Sequence, residues 1–154
     1  MEQVNRRSVQ SRRVENGTIG AGALIYSTST KRYLFLLRDN TKYSGSWGLV
    51  GGKVEHHELI LDALLREAQE EIGIDLTTEK AIPLETFTSD NAQFLYHTFV
   101  IIVADEFVPK LNSEHRGYCW VKLEDHPKPL HPGVWRTFNF DEILTKIKTI
   151  ESIL

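Results

Sequence analysis

The chain has 154 residues with 18 Lys and Arg against 21 Asp and Glu, which gives a formal net charge of −3 at pH 7. A chain of this length can bury enough surface to fold as one domain without a disulfide or a structural metal. The near-neutral charge argues against the strongly basic surface of a dedicated nucleic-acid binder. The longest apolar run, residues 99–104, is too short to span a bilayer, so neither nucleic acid nor membrane is an expected partner.

The residues before position 17 carry arginines at positions 6, 7, 12 and 13 but no apolar stretch behind them. This pattern is not a secretory signal, and we interpret residues 1–16 as a mobile N-terminal arm. The lone cysteine, Cys119, cannot form an internal disulfide, which favours a reducing, cytoplasmic setting. No repeat, low-complexity tract or linker divides the remainder, so residues 17–154 are predicted to form a single domain.

Strand and turn signals dominate the first third of this domain. Residues 17–26 and 32–37 are predicted to be strands joined by a tight turn, and the glycine-rich stretch 39–52 is predicted to be a loop. A helix is expected over Ile60–Ile72, where apolar residues recur at helical spacing and Gly73 supplies the stop.

Three further strands are predicted at residues 82–87, 94–104 and 118–123. The last element is predicted to be a helix within residues 134–154, with Asn139 and Glu142 spaced as a capping box, although residues 131–133 can also open a first turn. Helices separated by strands that mix hairpins with crossovers indicate the α/β class, with a mixed β-sheet between helices.

Three glutamates stand together on the predicted helix. Glu67, Glu70 and Glu71 fall within about a 100° arc of its surface. At about 6 Å and an effective dielectric near 20, two such charges repel by roughly 3 kcal/mol. A glutamate-rich helix face is often only solvated surface, but a divalent cation would relieve this repulsion, and carboxylate oxygens select Mg²⁺ or Mn²⁺. Gly51 and Gly52, just upstream, let the backbone approach a ligand closely.

The stretch GKVEHHELILDALLREAQEEIGI, residues 52–74, resembles the Nudix box. That motif runs Gly, five residues, Glu, seven residues, Arg-Glu, an apolar residue, any residue, Glu-Glu, any residue, Gly and an apolar residue. The matching positions are Gly52, Glu58, Arg66, Glu67, Ala68, Glu70, Glu71, Gly73 and Ile74. The chain has Val50 where many relatives have proline, a departure that concerns the rigidity of the loop rather than the metal site.

The resemblance implies a Nudix-type α/β/α sandwich that hydrolyses a nucleoside diphosphate linked to another moiety and requires Mg²⁺ or Mn²⁺. It implies metal ligation by the carbonyl of Gly52 and by the carboxylates of Glu67, Glu70 and Glu71. It also implies that Arg66 orients these glutamates through an ion pair, with Glu58 as a supporting acid.

The general base is left open between the box and a downstream loop. Glu67 or Glu70 can take the proton from the attacking water. Glu114 is the alternative base, since some relatives use an acid on a later loop. The competing interpretation of Glu114 is a surface charge. Candidate substrate contacts are Arg38, Gly51 and Lys53, with a surface salt bridge as the alternative for Arg38.

Aromatic and histidine side chains are weaker candidates. Four aromatic residues can stack on a nucleobase or belong to the core, namely Tyr43, Trp47, Phe94 and Tyr96. His56 and His57 lie where the motif allows any residue, and imidazole suits softer metals than this site would hold. Trp120 and Cys119 are assigned to packing in a strand.

The leaving group is chosen outside the motif, and three functions stay open. The approach GSWGLVGGKVE is most similar to the small MutT-type enzymes, which favours a (d)NTP pyrophosphohydrolase that releases a nucleoside monophosphate and pyrophosphate. The second possibility is an ADP-ribose or nucleotide-sugar pyrophosphatase. The third is a catalytically silent Nudix-fold module that binds a nucleotide or RNA. The expected partner is a small nucleotide, and the protein is expected to be a monomer or a homodimer.

Overall fold

The structure is a computed structural model that describes residues 17–154. The predicted N-terminal arm, residues 1–16, lies outside the described residues. Within the described part of the chain, no helix is long and apolar enough to cross a membrane.

A mixed sheet of seven strands forms the centre of the described residues. The strands are β1 (Thr18–Ser27), β2 (Arg32–Arg38), β3 (Trp47–Gly48), β4 (Val50–Lys53), β5 (Lys80–Thr88), β6 (Phe94–Val103) and β7 (His115–Val121). β1 pairs in parallel with β6 along its whole length, and the other pairings are antiparallel. The opposite edge of β1 is shared, because β4 pairs with its first half and β2 with its last residues.

The glycine-rich segment 39–52 contains strands β3 and β4, so the prediction of a continuous loop is wrong. In β4, Gly51 is paired with Gly22 of β1, and Gly52 with Ala21. The reason is tertiary: a Cβ at Gly51 would meet the carbonyl oxygen of Ala21 at 2.2 Å, so the two backbones approach more closely than side chains allow. The glycines that suggested a loop are therefore what permits the pairing.

Helix α1 spans Ile60–Ile72, as predicted. Its apolar residues recur every three or four positions, and Gly73 ends it in the left-handed conformation at φ 65° with its N–H bonded to the carbonyl of Gln69. The predicted strands at 82–87 and 94–104 are also present with slightly shifted ends, whereas the strand predicted at 118–123 begins earlier, at His115, and gives way to a 3₁₀ turn at Leu123–Asp125.

The C-terminal segment holds two helices, α2 (Pro132–Phe138) and α3 (Asp141–Ser152), rather than one. The first turn begins at Pro132, where Nδ1 of His131 accepts a hydrogen bond from the Gly133 N–H at 3.0 Å. The capping box predicted at Asn139 is wrong. Asn139 ends α2, and its side-chain amide donates to the carbonyl of Trp135 at 2.7 Å, so it has no part in starting α3.

Two apolar clusters on opposite faces of the sheet make the molecule an α/β/α sandwich, as predicted. Residues of β1 alternate between them: Ala23 and Ile25 pack against α1, whereas Leu24 and Tyr26 belong to the face covered by α2 and α3. The carboxylates of α1 emerge where this layer meets the end of β4, and α2 covers the other face of the same sheet region. The fold thereby places an acidic helix and an apolar layer on either side of the Gly51–Gly52 backbone.

Candidate active site

Glu71 is a buried carboxylate, only 3% exposed, at the end of α1. Its Oε1 accepts a hydrogen bond from the Gly51 N–H at 3.2 Å, which ties α1 to β4. Burial, helped by repulsion from Glu67 and Glu114, raises the pKa of Glu71 to about 8. A buried carboxylate with a raised pKa and one hydrogen bond is a group that a bound cation would stabilise.

Glu67 lies directly against the backbone of Gly52. A Cβ on Gly52 would fall 1.6 Å from Oε2 of Glu67, so a residue other than glycine would displace this carboxylate. Burial is the main cause that raises the pKa of Glu67 to about 7. A hydrogen bond with Glu70 and repulsion from its charge also raise this pKa, whereas the positive charge of Arg66 lowers it. The missing side chain of Gly52 therefore lets the Glu67 carboxylate pack directly against the backbone of β4.

Arg66 holds this acidic surface in position. Its Nε and Nη2 donate to the two carboxylate oxygens of Glu58 at 2.9 and 3.0 Å, and Nη2 also donates to the Lys53 carbonyl at 3.1 Å. Its Nη1 lies 3.6 Å from Oε1 of Glu67 and 3.5 Å from Oε2 of Glu70. This two-point pairing with Glu58 fixes the guanidinium plane, so Arg66 and Glu58 are placed to orient the neighbouring glutamates.

The donor set fits a hard divalent cation in its chemistry. Glu71 and Glu67 are largely buried and contact the backbone of Gly51 and Gly52, and Glu70, which is 54% exposed, interacts with Glu67 and Arg66. Within residues 17–154, no three acidic, His or Cys side chains are already gathered as a metal centre. The crowded acids and the close packing of Glu67 against Gly52 are the observations that favour a cation here.

A tyrosine forms part of the wall next to these glycines. In β1, a Cβ on Gly22 would meet Oη of Tyr96 at 2.3 Å, and one on Gly20 would meet its Cδ2 at 2.7 Å. The two bare positions of β1 leave the room that the Tyr96 ring occupies. Burial raises the pKa of Tyr96 to about 12, so its hydroxyl stays protonated at neutral pH.

A cavity of about 360 Å³ opens beside the acidic cluster. On one side it is lined by the Gly51–Gly52 backbone, Glu71, Glu114 and Arg38. Glu114 is exposed on the loop before β7, and its charge contributes to the raised pKa values of Glu67 and Glu71, which places it within electrostatic reach of both. The cavity therefore brings together the predicted candidates of three separate segments.

The rest of the cavity wall is largely apolar. Phe87, Phe94 and Tyr96 form a row along β5 and β6, with ring centroids 6.2 and 6.0 Å apart in succession. α2 contributes Val134, Arg136, Thr137 and Phe138 to the wall. A cavity of this size with a mainly apolar wall and some polar side chains is typical of a site for a small organic ligand.

The NUDIX domain model matches residues 17–140, which is most of the chain. The chain belongs to the Nudix family.

Relatives within the Nudix family agree with this assignment. The chain is 36% identical to nucleoside triphosphatase NudI of Escherichia coli O17:K52:H18, in an alignment covering 56% of this chain and 69% of that protein. Similar solved structures include the following two. The MutT NUDIX hydrolase of Burkholderia pseudomallei has a TM-score of 0.64 at 31% identity, and the match covers 79% of this chain and 95% of that protein. The MutT protein of Methanosarcina mazei Go1 has a TM-score of 0.68 at 27% identity, and the match covers 88% of this chain and 99% of that protein. The protein is a Nudix hydrolase acting on phosphorus anhydrides.

Several sequence candidates lie away from the cavity of this Nudix hydrolase. Lys53 is exposed, and its backbone carbonyl rather than its ammonium contacts Arg66. His56 and His57 are exposed with ring centroids 3.8 Å apart, and Tyr43 packs edge-on against His131. Trp120 is buried and donates from its indole to the Phe107 carbonyl at 3.0 Å, as expected of a packing residue, and Cys119 lies half-buried in β7.

Sequence reasoning missed the histidines and the α2 residues of the cavity. His115 is 7% exposed, and its Nδ1 has no hydrogen-bond partner among the described residues. Burial and the charge of Arg38 lower the pKa of His115 and bring that of His131 to about 4, so both rings are neutral at pH 7. No local pattern marks these residues. They reach the cavity because β7 pairs with β2 and because α2 folds back over the sheet.

Proposed function

We propose that this Nudix hydrolase is a Mg²⁺- or Mn²⁺-dependent pyrophosphohydrolase that converts a nucleoside triphosphate into a nucleoside monophosphate and pyrophosphate in the cytoplasm. The observation that carries the proposal is the single cavity whose wall is acidic and glycine-rich at one side and aromatic at the other. A nucleotide has the same two halves, a phosphate chain that needs cations and a flat base that needs apolar contact. The likeness to a nucleoside triphosphatase supports the same substrate class.

In this proposal, Glu67, Glu70, Glu71 and the Gly52 carbonyl hold the divalent cation. The cation supplies positive charge that draws electron density from the phosphate oxygens and lowers the pKa of water. Arg66 keeps Glu67 and Glu70 in position, since its Nη1 lies within 3.6 Å of both. The chain's own contribution is a set of oxygen donors fixed between a strand and a helix.

Glu114 accepts the proton of the attacking water. It is exposed to solvent in the cavity wall, and its backbone carbonyl accepts a hydrogen bond from the Asp39 N–H at 2.8 Å, which anchors the loop to the end of β2. Arg38, on the same wall, supplies a fixed positive charge for a phosphate oxygen. Its Nε donates to the Lys42 carbonyl at 2.9 Å, which leaves the rest of the guanidinium for this contact.

A substrate panel tests the proposal. The purified protein with MgCl₂ is incubated separately with dNTPs, 8-oxo-dGTP, ADP-ribose, nucleotide sugars and dinucleoside polyphosphates. Phosphate is measured with and without inorganic pyrophosphatase for the triphosphates, and with and without phosphatase for the other substrates. We expect phosphate from triphosphates that appears only when pyrophosphatase is present, and loss of that signal with EDTA.

The other functions considered from the sequence give different results. Phosphatase-dependent signal from ADP-ribose or a nucleotide sugar, with inert triphosphates, would replace the triphosphate assignment. Turnover that persists in EDTA would remove the cation from the proposal.

A further inference from the structure

An ion pair anchors the α2 side of the cavity. Glu85 of β5, whose side chain is 10% exposed, accepts hydrogen bonds from Oγ1 of Thr137 at 2.7 Å and from Nη1 of Arg136 at 3.3 Å. Because Glu85 lies in the sheet and the other two residues lie in α2, these bonds fix the position of the Arg136 side chain relative to the aromatic row. Such anchoring lowers the entropic cost of using the guanidinium to bind a ligand.

Arg136 is placed between the aromatic row and solvent. Its guanidinium carbon lies 3.9 Å from the centroid of the Phe87 ring, and the side chain is 30% exposed and lines the cavity. Stacking on Phe87 holds the guanidinium plane, as the ion pair holds its position. Of its five N–H donors, one is bonded to Glu85 within the described residues, which leaves four for a ligand that enters the cavity.

A guanidinium donates hydrogen bonds and accepts none. Guanine, thymine and uracil present a carbonyl oxygen where adenine and cytosine present an amino group. An N–H donor that faces this edge forms a hydrogen bond with the carbonyl of a keto base. Opposite an amino base, it faces another donor and is left without a partner.

We propose that Arg136 is a specificity-determining residue that makes the cavity prefer nucleotides with a keto base, guanine, thymine or uracil, over those with an amino base, adenine or cytosine. This inference rests on the proposed function, since it assumes that the aromatic side of the cavity holds a base. Arg136 discriminates at the base edge, whereas the phosphate chain lies at the Gly51–Gly52 side.

Two measurements on the intact chain test the inference. The first is kcat/KM for dGTP, dTTP, dATP and dCTP with Mg²⁺. The second is the dissociation constant of the four corresponding monophosphates by calorimetry, which needs no turnover. For the unaltered protein, we expect kcat/KM to be about tenfold higher for the keto triphosphates, and the dissociation constants to be about tenfold lower for the keto monophosphates, than for their amino counterparts. This is the scale of one good base-edge contact. Arg136→Gln introduces an amide, which both donates and accepts hydrogen bonds. In this variant, the keto-to-amino ratio of kcat/KM and of affinity should fall to within about twofold of unity.

Ratios between substrates are taken within one preparation, so partial misfolding of a variant cancels. Arg136→Lys keeps a donor-only cation and should retain the keto preference. The matched control is Arg32→Gln, which breaks another arginine–glutamate pair, with Glu106 at 2.6 Å, outside the cavity wall; its ratios should equal those of the unaltered protein.

Failure of the inference and failure of the proposed function are distinguishable. Equal binding of the four monophosphates by the unaltered protein would overturn the role of Arg136, whether or not triphosphates are hydrolysed. A uniform loss of affinity for all four in Arg136→Gln would likewise overturn it and assign the guanidinium to sugar or phosphate. A keto preference in binding without hydrolysis of any triphosphate would support Arg136 while contradicting the pyrophosphohydrolase.

Discussion

The carboxylates of α1 differ in environment although they are close in sequence. Glu71 is 3% exposed and bonded to a backbone N–H, Glu67 lies against Gly52, and the side chain of Glu70 is 54% exposed. In the absence of a cation, the first two are held with pKa values of about 8 and 7, far above the ordinary value of a glutamate. The raised pKa values indicate that these two carboxylates cost stability when they are ionised, a cost that the proposed cation would offset.

The pH dependence of stability tests the state of Glu71. Its folded pKa is raised, so the stabilising protonated form is fully present below the unfolded pKa of 4.5 and is lost as pH rises through about 8. We therefore measure the free energy of urea unfolding in EDTA for Glu71→Gln and for the unaltered protein. Relative to the unaltered protein, the variant should become more stable by about 2 to 4 kcal/mol between pH 5 and pH 9. Glu142→Gln, on the exposed side of α3, is the control. Parallel pH curves for Glu71→Gln and the unaltered protein would contradict the raised pKa.

Removal of the Glu70 charge tests its proposed role as a cation ligand. Because its side chain is 54% exposed, Glu70→Gln should leave thermal unfolding within about 0.5 kcal/mol of the unaltered protein. Turnover should fall by roughly three orders of magnitude, since one oxygen donor and one negative charge are lost from the cation site. The measurement is steady-state kinetics at saturating Mg²⁺, and a rate near normal would exclude Glu70 from the site.

The choice of base can be tested at Glu114. An amide cannot accept the proton, so Glu114→Gln should lower kcat by about 10² to 10⁴. Metal affinity, followed by Mn²⁺ titration, should change little in this variant. A loss of less than about threefold in kcat would return the role of base to Glu67 or Glu70.

At the scale of elements, the contact between β4 and α1 creates the site. Gly51 bonds Glu71, Gly52 leaves room for Glu67, and the Lys53 carbonyl receives Arg66, so three successive residues of one short strand each contact the helix. A strand with side chains at the two glycines could not approach both β1 and α1.

Gly52→Ala tests this packing. The new Cβ would lie 1.6 Å from Oε2 of Glu67, so we expect the carboxylate to be displaced and kcat/KM to fall by about 10² or more, with a stability loss of about 1 to 3 kcal/mol. The matched control is Gly117→Ala in β7, where the nearest atoms lie 3.6 Å from the added carbon. If Gly52→Ala keeps full activity, the placement of Glu67 against Gly52 has no catalytic importance.

The sequence predicts those elements whose signal is local. α1 was predicted at its observed bounds because its apolar spacing and Gly73 act within one helix. β4 is missed because two of its four residues are glycines, which carry no local strand signal, and its strand pairing with β1 depends on the tertiary fold. Likewise, Asn139 matches the spacing of a capping residue, but the preceding turn already starts α2 at Pro132 and leaves Asn139 at its end.

At the scale of the whole molecule, the cavity joins residues that are far apart in sequence. Glu71 of α1, Phe87 of β5, Glu114 before β7 and Arg136 of α2 meet only because β1 and β6 run in parallel through the centre and α2 folds over their face. The acidic side was predictable because the motif concentrates it in residues 52–74. The aromatic side, with Arg136 and its anchor Glu85, depends on tertiary contacts that no local spacing records.

The direct test of the central claim is the identity of the products. An equimolar mixture of the four dNTPs with MgCl₂ is followed by ³¹P NMR, with Glu70→Gln as the inactive control. We predict nucleoside monophosphate and pyrophosphate in equal amounts, without orthophosphate. Orthophosphate with nucleoside diphosphate, or four intact triphosphates after prolonged incubation with folded protein and Mg²⁺, would contradict the account.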